Sequence, residues 1–228
     1  ETDPEVRRGL MSFVVAGGGF SGVELAAELN DFVHEVVRDY RGLDAAELRV
    51  VLLHSGDRIL PELDESLGRF AHRLLTRRGM EIRLGTRLEV ATATAARMST
   101  GDRLETRTIV STVPSGPNPL LQTLPVELHR GRVPVDAHLA VPGLDRVWAV
   151  GDCAAVTETR TGRPAPPTAQ HAIREARCAA DNILAAIDGA APTTFSFSSL
   201  GQLVSLGRRS AVAQVFGFKL SGLFAWWL

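Results

Sequence analysis

One glycine turn constrains this chain more than any other feature. Residues 13–29 read FVVAGGGFSGVELAAEL, an apolar run that enters Gly17-x-Gly19-x-x-Gly22 and leaves as a helical pattern. The run predicts a strand over Ser12–Ala16. The spacing beyond it predicts a helix over Val23–Asp39 with Leu25, Leu29, Phe32, Val33 and Val36 on one face. In that setting each glycine has its own task. The first permits a tight turn, the second lets backbone approach a pyrophosphate and the third lets helix pack on strand, while the helix N-terminus faces the phosphates. A plain strand–turn–helix unit of a parallel sheet is the bland alternative. The flanking pattern favours a dinucleotide turn.

The pattern continues as an α/β chain. After the loop RGLDAAEL, the VVLL core of Arg49–His54 reads as a buried parallel strand, completing a βαβ unit. Asp64 can cap a helix over Glu65–Arg78 with Leu67, Phe70, Leu74 and Leu75 inward and Gly79 as its stop. A short strand over Glu81–Leu84 follows. LEVATAT, ARMST and LETRTIVST then alternate, with Thr100-Gly101-Asp102 as a hairpin signal, and predict a meander closing the domain.

Pro114, Pro117 and Pro119 mark a boundary. Beyond it Val147–Val150 reads as a buried strand ending in Gly151-Asp152, and RTGRPAPP as a loop. A long helix over Thr168–Asp188 carries Ala169, Ala172, Ile173, Ala176, Ala180, Ile183 and Ile187 at helical spacing, with Gly189 as terminator. Phe195 to Val215 alternates like two strands of a small sheet. The expected division is a nucleotide-binding domain over 1–114, a second unit over 115–190 and a small C-terminal β segment over 191–228.

Composition removes several classes. The 228 residues carry a formal charge of −1, with no basic field for nucleic acid. Lys219 is the only lysine, a skew that reads as codon usage. Cys153 and Cys178 form no CxxC, so neither a redox pair nor a metal site is written, and both read as small buried residues. The N-terminus has no signal-peptide layout, and no apolar stretch is long enough to span a bilayer, which suggests a cytosolic setting of bacterial type. The tail FGFKLSGLFAWWL is a conspicuous exception to this polar surface.

VWAVGDCAAV followed by PPTAQHAIREARCAADNI resembles the second flavin motif of two-dinucleotide flavoproteins. The tail narrows the resemblance to type II NADH dehydrogenases, since the thioredoxin-reductase CxxC and the disulfide-reductase His-Pro element are missing. The resemblance implies a Rossmann-like pyridine-nucleotide domain followed by the C-terminal half of an FAD domain. It also implies that an N-terminal flavin half precedes this chain, so that the chain is a fragment holding FAD weakly by itself.

The resemblance further implies residue roles. Gly17, Gly18, Gly19, Phe20 and Gly22 would shape the NADH pyrophosphate site. Gly151 and Asp152 would reach a ribityl hydroxyl of FAD, and Thr168, Ala169 and Gln170 would open the helix facing the flavin N1/O2 edge. Glu24 would lie near the nicotinamide and flavin rings and serve through water as the acid for quinol formation. A capping or solvent role is its bland alternative. Gln170 would lie near the quinone, with His171 as a neighbour only. The implied activity passes hydride from NADH to FAD and two electrons on to a quinone, at the cytoplasmic face of a bacterial membrane to which the apolar tail holds the protein peripherally. A homodimer remains open. So do a soluble reductase serving a protein electron carrier and a nucleotide-binding module without turnover.

One position departs from the pattern. An NAD-specific fold offers Asp or Glu to the ribose diol after its second strand. Here that strand ends in His54, with Ser55 and Arg58 nearby. Loss of the acid removes the charge that repels a 2′-phosphate, so NADPH is possible beside the expected NADH.

Overall fold

The computed structural model describes residues 3–113, 116–159, 162–197 and 199–228. Pro114 at the expected boundary, Arg160 and Thr161 of the expected loop, and Ser198 in the expected C-terminal strands lie outside them. The chain forms two compact units, one of Glu1–Pro114 with Leu200–Leu228 and one of Ser115–Ser199. Residues 191–228, read from the sequence as a segment of their own, therefore divide, and 200–228 pack with the first unit.

The first unit begins with α1 (Pro4–Leu10), capped by Asp3, whose carboxylate accepts the N–H groups of Glu5 and Val6. Asp-Pro-Glu is a helix-start signal that the sequence reading passed over. Next come β1 (Ser12–Ala16), α2 (Phe20–Val36) with one 3₁₀ turn to Asp39, β2 (Arg49–Leu53), α3 (Glu65–Arg77) and β3 (Glu81–Arg83). Then follow β4 (Leu88–Ala91), β5 (Ala95–Met98), β6 (Arg103–Glu105) and β7 (Thr108–Ser111).

Strands β3, β2, β1 and β7 form a parallel sheet in that order, and β4–β5–β6 an antiparallel meander. The fold is Rossmann-like α/β, as the sequence predicts. Both sheet faces are covered, which is why its central strands are apolar throughout. Val15, Val50 and Leu52 pack toward α2 and α3, while Val14, Val51 and Leu53 pack against Ala96, Met98 and Leu104 of the meander. Each such side chain, fully buried, contributes roughly 1.5–3 kcal/mol.

Two expectations are corrected here. LETRTIVST is not one β segment. Thr106 breaks it, its hydroxyl donating to Ser12 O at 2.7 Å, so β6 stays in the meander and β7 crosses to pair with β1. The inward face of α2 is also rotated. Gly22, Val23, Ala26, Ala27, Asn30 and Val33 are buried, whereas Leu25 and Phe32 are exposed. Gly22 fixes the rotation, because it lies against the Gly17 carbonyl and draws in the residues spaced from it by helical turns.

β10 (Gly201–Ser205), β11 (Ala211–Val215) and β12 (Phe218–Gly222) form an antiparallel sheet, followed by α5 (Leu223–Trp226). The sheet belongs to the second half of the chain yet fills the first unit's core, with Val204, Leu206 and Val212 buried beside α2 and α3. A polar seam joins it there. The Ser205 N–H donates to Glu24, the Ser205 hydroxyl to Glu28 and the Arg208 N–H to Asp31, all three acceptors on α2.

In the second unit β8 (Val133–Pro134) pairs in parallel with β9 (Ala154–Ala155), and α4 (Ala169–Asp188) is the one long helix among its described residues. Val147–Val150 is not a strand. It folds back on Leu139–Val141 through a single bridge, Ala140 with Trp148, and Val147 is exposed. On α4 the expected polarity is inverted. His171, Glu175, Ala179 and Asn182 are buried, while Ile173, Ile183, Leu184 and Ile187 are exposed. The cause lies in directed polar contacts, since Asn182 donates to His138 O and Thr193 O and accepts the Thr193 N–H. The cysteines correct the sequence reading too: Cys153 is exposed and Cys178 half-buried, both free thiols.

Candidate functional site

The first unit places the glycine turn at the carboxyl ends of β1, β2 and β7, where ligands of open α/β sheets bind. Gly17 has φ +121° and donates its N–H to Leu53 O at 2.9 Å. A Cβ there would stand 2.4 Å from the Thr112 hydroxyl, and one on Gly22 only 1.7 Å from Gly17 O. Side chains at these two positions are sterically excluded. Gly19 caps α2 with no side chain bonded to the first-turn amides, leaving the helix dipole directed at the turn. The cradle fits a pyrophosphate in shape and polarity.

His54, at the end of β2, fills the space over Gly18. A Cβ on Gly18 would meet its ring at 2.6–2.9 Å, one on Gly56 would stand 2.8 Å from its Nε2, and the Gly18 N–H donates to its Nδ1. The ring is thus held between two glycines, with Nδ1 toward the turn. One amide of the turn is already engaged by a side chain.

Two residues near this turn escaped the sequence reading. Thr112 follows β7, and its hydroxyl donates to Ala16 O at 3.0 Å, tying that strand end to the turn. Glu62 brings a carboxylate oxygen to 3.1 Å from where a Gly19 Cβ would stand. No local pattern marks either, because both arrive from loops distant in sequence. Glu24, by contrast, is half-buried and accepts the Ser205 N–H at 3.0 Å. Its carboxylate serves the seam to β10.

The second unit carries the other candidate residues. Gly151–Cys153 make one 3₁₀ turn, with Gly151 at φ +70° and its N–H donating to Glu175 at 2.7 Å. Asp152 is exposed, and its carboxylate has no hydrogen-bond partner among the described residues. Thr168 caps α4, accepting the His171 N–H, and its hydroxyl pairs with His171 Nδ1 at 2.8 Å. Phe197 meets the His171 ring edge-on, and the Arg174 guanidinium lies 4.1 Å over Phe197. Ala169 and Gln170 occupy the first turn of α4, where Gln170 O accepts from Arg174. Arg132, Gly151, Asp152, Thr168, His171 and Glu175 surround one small cavity. The exposed Asp152 carboxylate can accept from the hydroxyls of a polyol, and the N-terminus of α4 favours an electron-rich group. His171, expected only as a neighbour, is a buried part of this wall.

Residues 2–176 match the family model described as pyridine nucleotide-disulphide oxidoreductase. The chain belongs to that family. Among curated members it is 33% identical to the type II NADH:quinone oxidoreductase Ndh of Mycobacterium tuberculosis, across the whole of this chain and 51% of that protein. It is 27% identical to the type II NADH:quinone oxidoreductase of Staphylococcus saprophyticus, across 93% of this chain and 53% of that one. The chain thus spans about half the length of these curated oxidoreductases. Its fold matches the structure of NDH2 from Plasmodium falciparum in complex with NADH with a TM-score of 0.84 at 16% identity, over 96% of this chain and 61% of that one.

Proposed function

We propose that the chain forms part of an enzyme that oxidises NAD(P)H and reduces a quinone, with FAD between the two. The observation that carries this reading is the presence of two separate nucleotide-type turns, Gly17–Gly22 and Gly151–Asp152, each with polar groups suited to a different part of that chemistry. The names of the relatives support the same reading.

The chemistry that bound FAD supplies is acceptance of hydride from a nicotinamide and delivery of two electrons to a quinone. The residues of this chain supply orientation and charge. Gly17, Gly18, Gly19, Phe20 and Gly22 bind the pyrophosphate at the α2 N-terminus, with His54 toward the ribose. Asp152 accepts a hydrogen bond from a ribityl hydroxyl, and Thr168, Ala169 and Gln170 set the α4 N-terminus, favouring negative charge on the ring edge. Glu24 would relay a proton from solvent through water to the reduced quinone as the quinol forms, using the carboxyl oxygen that does not accept from the Ser205 N–H.

The acceptor side rests on the tail. Phe216, Phe218, Phe224, Trp226, Trp227 and Leu228 are exposed around Lys219, a composition suited to the interface of a bilayer. No helix among the described residues is long and apolar enough to cross a membrane. Peripheral attachment at the cytoplasmic face, where quinone is met in the bilayer, follows from the reading.

The test is steady-state reduction of a short-chain quinone by the flavin-loaded protein with NADH and with NADPH. Quinone-dependent oxidation of either nucleotide is expected. Flavin reduction that proceeds only to a protein carrier, or no turnover at all, overturns the reading. The 228-residue chain alone is expected to bind NADH and to hold FAD poorly, so a stoichiometric flavin spectrum from it counts against the proposed sharing of the flavin site with further chain.

A further inference from the structure

We infer that Glu175 is a positioning residue for Asp152, acting through the backbone of Gly151. This inference rests on the flavin reading of the Gly151–Asp152 turn.

Glu175 lies on the inner face of α4 with only 3% of its surface exposed. Burying a carboxyl group costs free energy unless hydrogen bonds or an opposite charge offset it. Among the described residues no arginine, lysine or histidine forms a salt bridge with it. Its partner is the Gly151 N–H, at 2.7 Å from Oε2. That contact is what the buried carboxyl group serves.

Gly151 has reason to need such a contact. At φ +70° it holds a backbone conformation that glycine enters and leaves freely, and packing does not enforce it. A Cβ at that position would meet only the Ala172 Cβ, at an ordinary 3.7 Å. The hydrogen bond from helix to turn is therefore a directional restraint on this conformation, beside the Ala154 N–H that the Gly151 carbonyl accepts within the turn. Asp152 is the next residue, exposed and without a partner of its own among the described residues. The direction of its carboxylate follows from the backbone that Glu175 holds. α4 thereby carries both flavin-facing features at once, its own N-terminal turn and, through Glu175, the Asp152 carboxylate.

Two volume-matched variants separate this from simple packing. Glu175→Gln keeps a carbonyl acceptor for Gly151, whereas Glu175→Met fills the space with no strong acceptor. In the flavin-loaded protein, the FAD dissociation constant is measured by flavin release into ultrafiltrate. Far-ultraviolet circular dichroism and the thermal unfolding of each variant serve as the folding control for the unit that holds α4, and the NADH dissociation constant as the control for the other. Glu175→Met is expected to weaken FAD binding about tenfold, the loss of one hydrogen bond. Glu175→Gln is expected to stay within about threefold, with NADH affinity unchanged in both.

If both variants hold FAD as tightly as the parent, or if Glu175→Gln falls as far as Glu175→Met, the inference is overturned. Asp152→Ala tests the underlying reading separately. If it leaves FAD binding unchanged, the flavin assignment of the turn fails; if it weakens binding while the Glu175 variants do not, only the role of Glu175 fails.

Discussion

The backbone N–H of Gly18 donates to Nδ1 of His54 at 3.1 Å, so the residue ending β2 is tied to the middle of the glycine turn. In a fold of this kind that strand end faces the adenosine ribose, where an acidic side chain selects NADH by repelling a 2′-phosphate. His54→Glu is expected to lower the ratio of NADPH to NADH affinity at least about tenfold. Two like charges about 4 Å apart cost on the order of 4 kcal/mol at an effective dielectric of 20, above the 1.4 kcal/mol that a factor of ten requires. Nucleotide titration of the 228-residue chain, followed by fluorescence, measures the ratio. An unchanged ratio would place His54 away from the ribose.

Gly22 makes the closest approach in the turn. Gly22→Ala puts a methyl group into the Gly17 carbonyl, which forces α2 away from β1. We predict a loss of about 3 kcal/mol in unfolding free energy together with loss of NADH binding. Gly19→Ala, whose Cβ would meet only the Glu62 carboxylate at 3.1 Å, is expected to retain the fold. Urea denaturation of the two variants separates these outcomes, and equal stabilities would rule out the steric account.

Arg78, just past α3, holds the turn between β10 and β11. Its guanidinium donates to Leu206 O at 2.6 Å and to Arg208 O at 2.9 Å. Arg78→Met is expected to cost roughly 2–3 kcal/mol and to loosen that turn. Trypsin cuts after arginine, so cleavage after Arg208 and Arg209 should accelerate markedly in the variant. Cleavage at the parental rate would show the turn to be held by its apolar packing alone.

Asp64 joins two roles, capping α3 through the Ser66 N–H and accepting from Lys219 of β12 at 2.6 Å. The hydrogen bonds from Lys219 and then from Ser66 hold its carboxyl well below the usual carboxylate range. A carboxyl lowered by folding adds stability that is complete above its unfolded pKa, about 4, and is lost as pH falls through its folded value. Removing the stronger of its partners should therefore narrow the acid side of the stability profile. Lys219→Met is expected to move the acid unfolding midpoint upward, followed by circular dichroism between about pH 2 and 5, and to lower stability at neutral pH too, where the contribution of the pair is complete. A midpoint that stays in place would show the pair to be inert.

Much of the first unit was legible because its signals are local. The apolar runs of β1 and β2, the Asp64 cap and the Gly79 stop each declare themselves within a few residues. What sequence patterns missed depends on partners far along the chain. Thr106 breaks a β run because Ser12 O is there to receive its hydroxyl, and Thr112 and Glu62 reach the glycine turn from separate loops. The apolar spacing on α4 was real, but its inward face is chosen by contacts to Gly151, His138 and Thr193. Glu24 was read by its nearness to the fingerprint, and the structure turns it to the N–H of a residue in the C-terminal sheet.

The buried polar stripe on α4 has a consequence for precision. A helix seated on leucines and valines is located by the interdigitation of its side chains, through many contacts that are each weak and undirected. Glu175 and Asn182 add contacts that have a direction. Each grips particular backbone atoms, and a shift of even one ångström would break several of these bonds together. The helix is pinned along its own axis, and its first turn is thereby located in the unit to within the tolerance of a hydrogen bond.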